Sequence, residues 1–223
     1  MLQIKKLYRS EYTGEEVVTE MSHIDGQWNY TKEFITNSVI NNRITSQAIV
    51  IGSGFTRSMV DLVHIKNHKG GLLASNKLQS YGCNNLYKEF EPDFLVAVGK
   101  EVIDEVADSG YTNNHIVYTG AQAILDHPGK FYLVPQDPSW NAGSIATYLA
   151  AFDGHTKIFL LGFDTSNADA FWVRSMSQVF STYNETEFVL IVPSLNADIP
   201  EEWKYLLNVR PVTVNEFVVE ADL

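Results

Sequence analysis

A chain of 223 residues with 45% hydrophobic content is long enough to bury a full core, in one domain of about 150–200 residues with a terminal extension. Its 16 Lys and Arg face 27 Asp and Glu, and the formal net charge of -11 excludes broad contact with a nucleic-acid backbone, which is driven by cations displacing counterions; a small nucleotide held by backbone N–H groups stays allowed. The single cysteine, Cys83, excludes an intrachain disulfide and a cysteine-based zinc cluster, while the absence of a signal-peptide pattern or a membrane-length apolar run sets a cytoplasmic expectation with no membrane partner.

From Gln3 to about Trp28 the pattern is polar with short alternations such as Glu16-Val-Val-Thr-Glu20, which predicts a small hairpin or an ordered arm. Lys32 to Asn42 reads as a helix, with Phe34, Ile35, Val39 and Ile40 near helical spacing. Residues 1–45 are therefore expected to form an N-terminal arm and lead-in helix, and residues 46–223 a single α/β domain. The first core strand is Ala48–Ile51. It runs into Gly52-Ser53-Gly54, where two glycines permit close backbone approach, and then into Phe55-Thr-Arg-Ser58, where Thr56 or Ser58 can cap a helix whose free N–H groups attract an anion. A tight structural turn is the alternative. The third glycine of the dinucleotide fingerprint is missing, as is the Gly-Lys-Ser/Thr ending of a Walker A loop.

Gly70–Ser75 reads as a second strand, Tyr81–Phe90 as a turn and short helix, and Pro92–Val98 as a third strand. Lys100–Ser109 reads as a helix ended by Gly110, His115–Thr119 as a fourth strand and Phe131–Val134 as a short one. Ser139–Asp153 forms a helix with Ile145, Leu149 and Phe152 on one face, and Lys157–Gly162 is a strongly apolar strand. The tail holds a helix over Ala168–Tyr183, a strand over Glu187–Val192, a helix over Glu201–Leu207 and an alternating segment over Val212–Val219. This alternation predicts a Rossmann-like, mostly parallel open sheet with helices on both faces.

Ligands of open parallel sheets bind outside the carboxyl ends of the strands, and the residues after each expected strand are polar: Gly52-Ser53-Gly54, Ser75-Asn76-Lys77, Gly99-Lys100, Thr119-Gly-Ala-Gln122 and Gly162-Phe-Asp-Thr-Ser166. Asn76 suits a base or ribose, Lys77 or Lys100 a phosphate, and Asp164 a hydroxyl or a metal ion; turn geometry and helix capping are the plain alternatives. Asn141, Gly143 and Ser144 open an apolar helix, which makes either a second anion-binding N-terminus or an ordinary cap with a small residue for close packing. Tyr81, Tyr87, Phe90 and Trp140 suit either base stacking or the core. The six histidines are scattered: His115 reads as structural, and Gly70-Gly71 comes too soon after His64 and His68 for a two-ligand helix face, so no metal site is predicted.

Three blocks carry a family resemblance: Ile49-Val-Ile-Gly-Ser-Gly-Phe-Thr-Arg-Ser-Met59; Leu73-Ala-Ser-Asn76 with Glu91-Pro-Asp-Phe-Leu-Val-Ala-Val98; and Asn141-Ala-Gly-Ser144 through Lys157-Ile-Phe-Leu-Leu-Gly-Phe-Asp164. Over roughly residues 46–166 the chain resembles the Rossmann-like superfamily of archaeal 6-hydroxymethylpterin diphosphokinases, motility-associated glycosyltransferase-like proteins and bacterial CMP-dependent sialyltransferases. Tyr81 to Asp93 looks like bacteriophage proteins of this kind, which implies a host-cytoplasmic setting for a phage-encoded member. The resemblance implies a nucleotide or nucleotide-sugar, with or without Mg2+, in the cleft. Its phosphates would lie near Gly52–Gly54 and Gly143–Ser144, its base or ribose near Asn76, and Asp164 would be at the rim. Two departures stand out: Val98-Gly99-Lys100 replaces the acidic residue that comes after the third strand in the diphosphokinases, and no histidine occurs beyond His155, where the sialyltransferases have a general base. Asp164 is then the acid/base candidate for glycosyl or diphosphate transfer. The rival is a noncatalytic assembly module, phage-encoded or self-associating, that uses residues 1–45 and an exposed final strand for partner contacts.

Overall fold

The computed structural model describes residues 2–9, 15–37, 45–68, 78–134, 139–166 and 168–223. Eight parallel strands form the body of the sheet: β4 (Gln47–Ile51), β5 (Gln79–Cys83), β6 (Phe94–Val96), β7 (Ile116–Thr119), β8 (Tyr132–Leu133), β9 (Lys157–Leu161), β10 (Glu187–Val192) and β11 (Val209–Thr213). Their spatial order is β11-β10-β9-β4-β5-β6-β7-β8. The chain thus builds outward from β4 in one direction through β8, then returns to the other side of β4 at β9 and builds outward again. That reversal between β4 and β9 is a topological switch point, and the Rossmann-like open sheet expected from the sequence is the observed fold.

Both faces of the sheet are covered, as parallel strands require. Ala48 and Val50 of β4 join a core with Ile158 and Leu160 of β9, roofed by α4 (Ala142–Phe152), α5 (Ala170–Thr182) and Trp203 of α6 (Glu201–Lys204). Ile49 and Ile51 join Phe159 and Leu161 on the other face, under Ile65 of α1 (Leu62–His68) and Phe217 of α7 (Val214–Glu220). Farther along, Leu95, Ala97 and Val117 pack against α2 (Lys100–Asp108) and α3 (Ala121–Asp126). The continuous apolar run of β4 and β9 results from this double burial. So does the composition of α4, where ten of the eleven residues are buried and the one that is not is Gly143.

Several expectations require correction. Lys32–Asn37 lies in a strand, not a helix: β1 (Leu2–Arg9), β2 (Glu15–Ile24) and β3 (Gln27–Asn37) form an antiparallel meander whose first strand continues the sheet beside β8. Asp25 and Gly26 have φ of 52° and 78°, the left-handed pair that a two-residue hairpin demands, so the expected hairpin exists but its second loop leads into another strand. One neighbour of β4 is the strand Gln79–Cys83, whose last three residues fall in the segment read as turn and helix, and the 3-10 turn Asn84–Lys88 comes directly after it. The expected strand Gly70–Ser75 lies outside the described residues. Val212–Val219 is the end of β11 and most of α7, not one alternating strand, because Thr213 and Glu216 form a reciprocal capping box that starts the helix.

At the opposite end of the sheet from the strand carboxyl termini, Lys157 reaches Glu220 at 2.8 Å and Glu187 at 3.2 Å, while Arg210 reaches Glu187 at 2.6 Å and also contacts Glu220. Burial works to raise the Glu220 carboxyl, but hydrogen bonds and charge from Arg210 and Lys157 outweigh it and hold the group below its ordinary value. A carboxylate with a depressed folded pKa stabilises above its unfolded pKa and loses that contribution as pH falls through the folded one. Glu220→Gln is expected to cost about 1 kcal/mol, or about 2–4 °C in Tm, at pH 7. Thermal denaturation of both proteins across the acid range checks this: the gap between them should close as pH drops below the ordinary glutamate pKa of about 4.3.

Candidate functional site

The loops after β4 and β9 are laced together. Gly52 N–H donates to Leu161 O at 2.8 Å and Gly54 N–H to Gly162 O at 2.9 Å. In return Gly162 N–H donates to the buried Thr56 Oγ1 at 3.0 Å, and Thr56 N–H donates to the Asp164 carboxylate at 3.2 and 3.3 Å. The glycines are there for this approach. A Cβ on Gly52 would sit 2.6 Å from Gly162 O, and one on Gly54 would collide with Asp164 Oδ2 and lie 2.7 Å from Gly162 O. Gly54 leads into a single 3-10 turn, Phe55–Met59, without a side-chain cap, so Thr56 and Ser58 do not cap a helix as expected.

Above this junction lies a cleft of about 510 Å³ at the carboxyl ends of β4, β5 and β9, beside the switch point. Of the residues singled out in the sequence, Gly52, Ser53, Gly54, Asn141, Gly143 and Asp164 line it together. Ser144 does not: its side chain is buried 2.7 Å from Ser175 Oγ, and its N–H donates to Asn141 Oδ1 at 2.9 Å. Asn141 is thus the cap of α4, and Gly143 permits close packing on Phe163, whose ring would meet a Cβ at 3.3 Å. The two first-turn N–H groups before Ser144, of Ala142 and Gly143, have no acceptor within the helix and belong to residues that line the cleft. Asn76 and Lys77 lie outside the described residues, shortly before β5 in the sequence. Lys100 is exposed and pairs with Asp104 at 2.7 Å, away from the cleft.

Sequence reasoning missed several groups in this wall. Arg57 is half-buried, with Nη1 3.4 Å from Gly52 O and Nη2 3.3 Å from Glu89 Oε1, and it stood inside the quoted glycine motif. Asn84 and Asn85 come after the strand that actually neighbours β4. Asn84 has a φ of 48°, and its Oδ1 accepts from Val98 N at 2.9 Å, which fixes the turn and leaves Asn85 at the cleft. Asp169 caps α5 by accepting from Trp172 N at 2.8 Å, and the Trp172 ring closes the cleft beside Phe163. Cys83 also borders the cleft; burial pushes its thiol up to about 12 against the smaller lowering effect of Arg57, so it is a neutral thiol at physiological pH and no nucleophile.

The aromatics named as stacking candidates fall elsewhere. Tyr81 and Phe90 are core residues and Trp140 packs against the core, while Tyr87 donates to Glu105 at 2.6 Å outside the cleft. His115 is structural as read, stacked on Tyr111 with ring centroids 4.0 Å apart. Among the described residues no group of three or more His, Cys, Asp or Glu side chains converges as a metal site, and no helix is long and apolar enough to cross a membrane.

No protein-family model matches the chain, and no curated protein matches it. Among solved structures, the chain is similar to a monofunctional alpha-2,3-sialyltransferase from Campylobacter jejuni, at 11% identity and a TM-score of 0.49, over 78% of this chain and 84% of that one.

The laced junction orders the cost of two substitutions. Gly54→Ala forces Asp164 and the Gly162 carbonyl apart and should destabilise by about 1–3 kcal/mol, whereas Gly143→Ala asks only a few tenths of an ångström of the Phe163 ring and should cost less. Chemical denaturation of the two variants checks the ranking.

Proposed function

We propose that this cleft binds a nucleotide or nucleotide-sugar and that the protein is a transferase of the glycosyltransferase-like or diphosphotransferase-like kind. The observation that carries the reading is the convergence, on one cavity at the switch point, of the open first turn of α4, the Arg57 guanidinium and the Asn84-Asn85 turn. The first two are donors suited to a phosphate. An asparagine amide and the Trp172 ring suit the hydrogen-bonding edge and the flat face of a base.

The chemistry this supports is displacement at a glycosyl or phosphoryl centre. The acceptor oxygen forms the new bond, and its proton passes to a carboxylate. The bond to the leaving phosphate breaks with its electron pair, and the charge that develops there meets the Ala142 and Gly143 N–H groups and Arg57. Asp164 is the acid/base candidate: Thr56 N–H holds its carboxylate in place, and each oxygen keeps further acceptor capacity. Mg2+, which commonly binds through one or two carboxylates plus substrate phosphates, would find Asp164 and Asp169 at the same cleft. One observation favours the noncatalytic alternative: Asp164 and Asp169 both already serve as acceptors for backbone N–H groups.

Calorimetric titration with CMP, UDP, ADP and GDP, each with and without Mg2+, tests the reading. Saturable binding of at least one is expected. Arg57→Gln should weaken it about tenfold or more, the scale of one charge-assisted hydrogen bond, and Asp164→Asn, which keeps an acceptor for Thr56, should leave it within about threefold. Binding by none of the four would move the assignment to a noncatalytic module.

A further inference from the structure

The candidate cleft shares a wall residue with a second cavity. A second basin of about 400 Å³ is lined by Asp61, Leu62, Val63 and Lys66 on one side and Tyr87 to Glu91 on the other. The same two chain segments border the first cleft, which takes Gly52 to Gly54 and Arg57 from one and Cys83 to Leu86 from the other. Glu89 lines both cavities, and its 3.3 Å pair with Arg57 joins the two segments. That pair is long, and the Glu89 side chain is 58% exposed, so it is readily opened. A ligand longer than a nucleotide would meet Glu89 on leaving the first cleft and the second basin beyond it.

We propose that the second basin is the acceptor subsite of the transferase and that it takes a neutral saccharide, an inference that rests on the nucleotide-sugar reading of the first cleft. The lining sets the class. Three carboxylates (Asp61, Glu89, Glu91) and two ammonium groups (Lys66, Lys88) alternate with the apolar surfaces of Leu62 and Val63 and the ring of Tyr87. Hydroxyl groups both donate and accept, so they suit mixed carboxylates and ammonium groups, while the C–H faces of a sugar ring suit the apolar patches between them. The one-charge excess of carboxylate, in a chain of net charge -11, gives no attraction for an anionic acceptor. Glu89 is the group at the border, placed to accept from a saccharide hydroxyl that reaches toward the nucleotide.

Val63 is 58% exposed on this wall, so Val63→Trp fills the basin without touching the core or the first cleft. Saturation-transfer NMR with lactose, cellobiose and maltose on the full chain is expected to give a signal for at least one disaccharide, lost to baseline in Val63→Trp. The calorimetric affinity for whichever nucleotide binds should stay within about twofold. Absence of signal from all three sugars in a protein that binds a nucleotide overturns the proposal, as does a signal that survives Val63→Trp. Failure of every nucleotide to bind, with a disaccharide signal still lost in Val63→Trp, would instead sink the donor reading and leave the saccharide subsite standing.

Discussion

The constraint on which the rest depends is the mutual lacing of the two loops that leave β4 and β9. Four hydrogen bonds run between them in both directions, and three of the groups involved, Gly52, Gly54 and Gly162, tolerate the approach because they have no side chain to intrude. At a switch point the two crossover connections depart to opposite sides, which opens a crevice there. Tying the loops to each other makes the floor of that crevice a preformed surface, and the N–H groups of Gly52, Gly54, Thr56 and Gly162 are satisfied before any ligand arrives. Gly162, with φ of 76°, turns the chain so that Phe163 points into the core and Asp164 comes back over the glycine turn.

The lacing also changes how an anion would be held. In an open glycine turn the backbone N–H groups are the anion's donors, but here Gly52, Gly54 and Thr56 have internal acceptors, one of them a carboxylate. The donor surface shifts to the neighbouring wall, where α4 begins and Arg57 extends. The burial of α4 along nearly its whole length fixes where its N-terminus points, since a helix embedded between sheet and α5 cannot rotate without disrupting the core. The Ser144–Ser175 hydrogen bond between the two helices is a polar contact within that packing.

Much of this architecture was legible in the sequence because the strands of a doubly covered parallel sheet are apolar on both faces. Ala48–Ile51, Ile158–Leu161 and Glu187–Val192 stand out for that reason, and Asn141 and Gly154 bracket α4 at its cap and just past its end. β5 was hidden because it breaks the pattern. Gln79, Ser80 and Gly82 are buried polar or small residues: Ser80 is satisfied by Asp93 at 2.7 Å, and Gly82 lets Pro92 and Leu86 approach where a Cβ would be. With β5 hidden, the expected polar strand end falls at Asn76-Lys77 and not at Asn84-Asn85, which line the cleft. The helical reading failed differently over Lys32–Asn37, the part of Lys32–Asn42 that the structure describes. Periodicity over a short window fits either spacing, and the pairing of β3 with β2 along Glu15 to Ile24 is long-range information.

The protein's strong negative charge and its proposed anionic ligand are reconciled by where the charge sits. Three carboxylates that line the cleft are each engaged: Asp164 on Thr56 N–H, Asp169 on the first turn of α5, Glu89 on Arg57. The donors left for a ligand are mostly neutral backbone dipoles, whose attraction for a phosphate is local and needs no net positive potential. A long polyanion would feel the whole acidic surface, whereas a single phosphate at the head of α4 would feel chiefly the first turn of that helix and one guanidinium. If the cleft takes an anion as proposed, this geometry favours a compact anion over an extended one, and it requires only that Arg57 exchange the exposed Glu89 for the ligand.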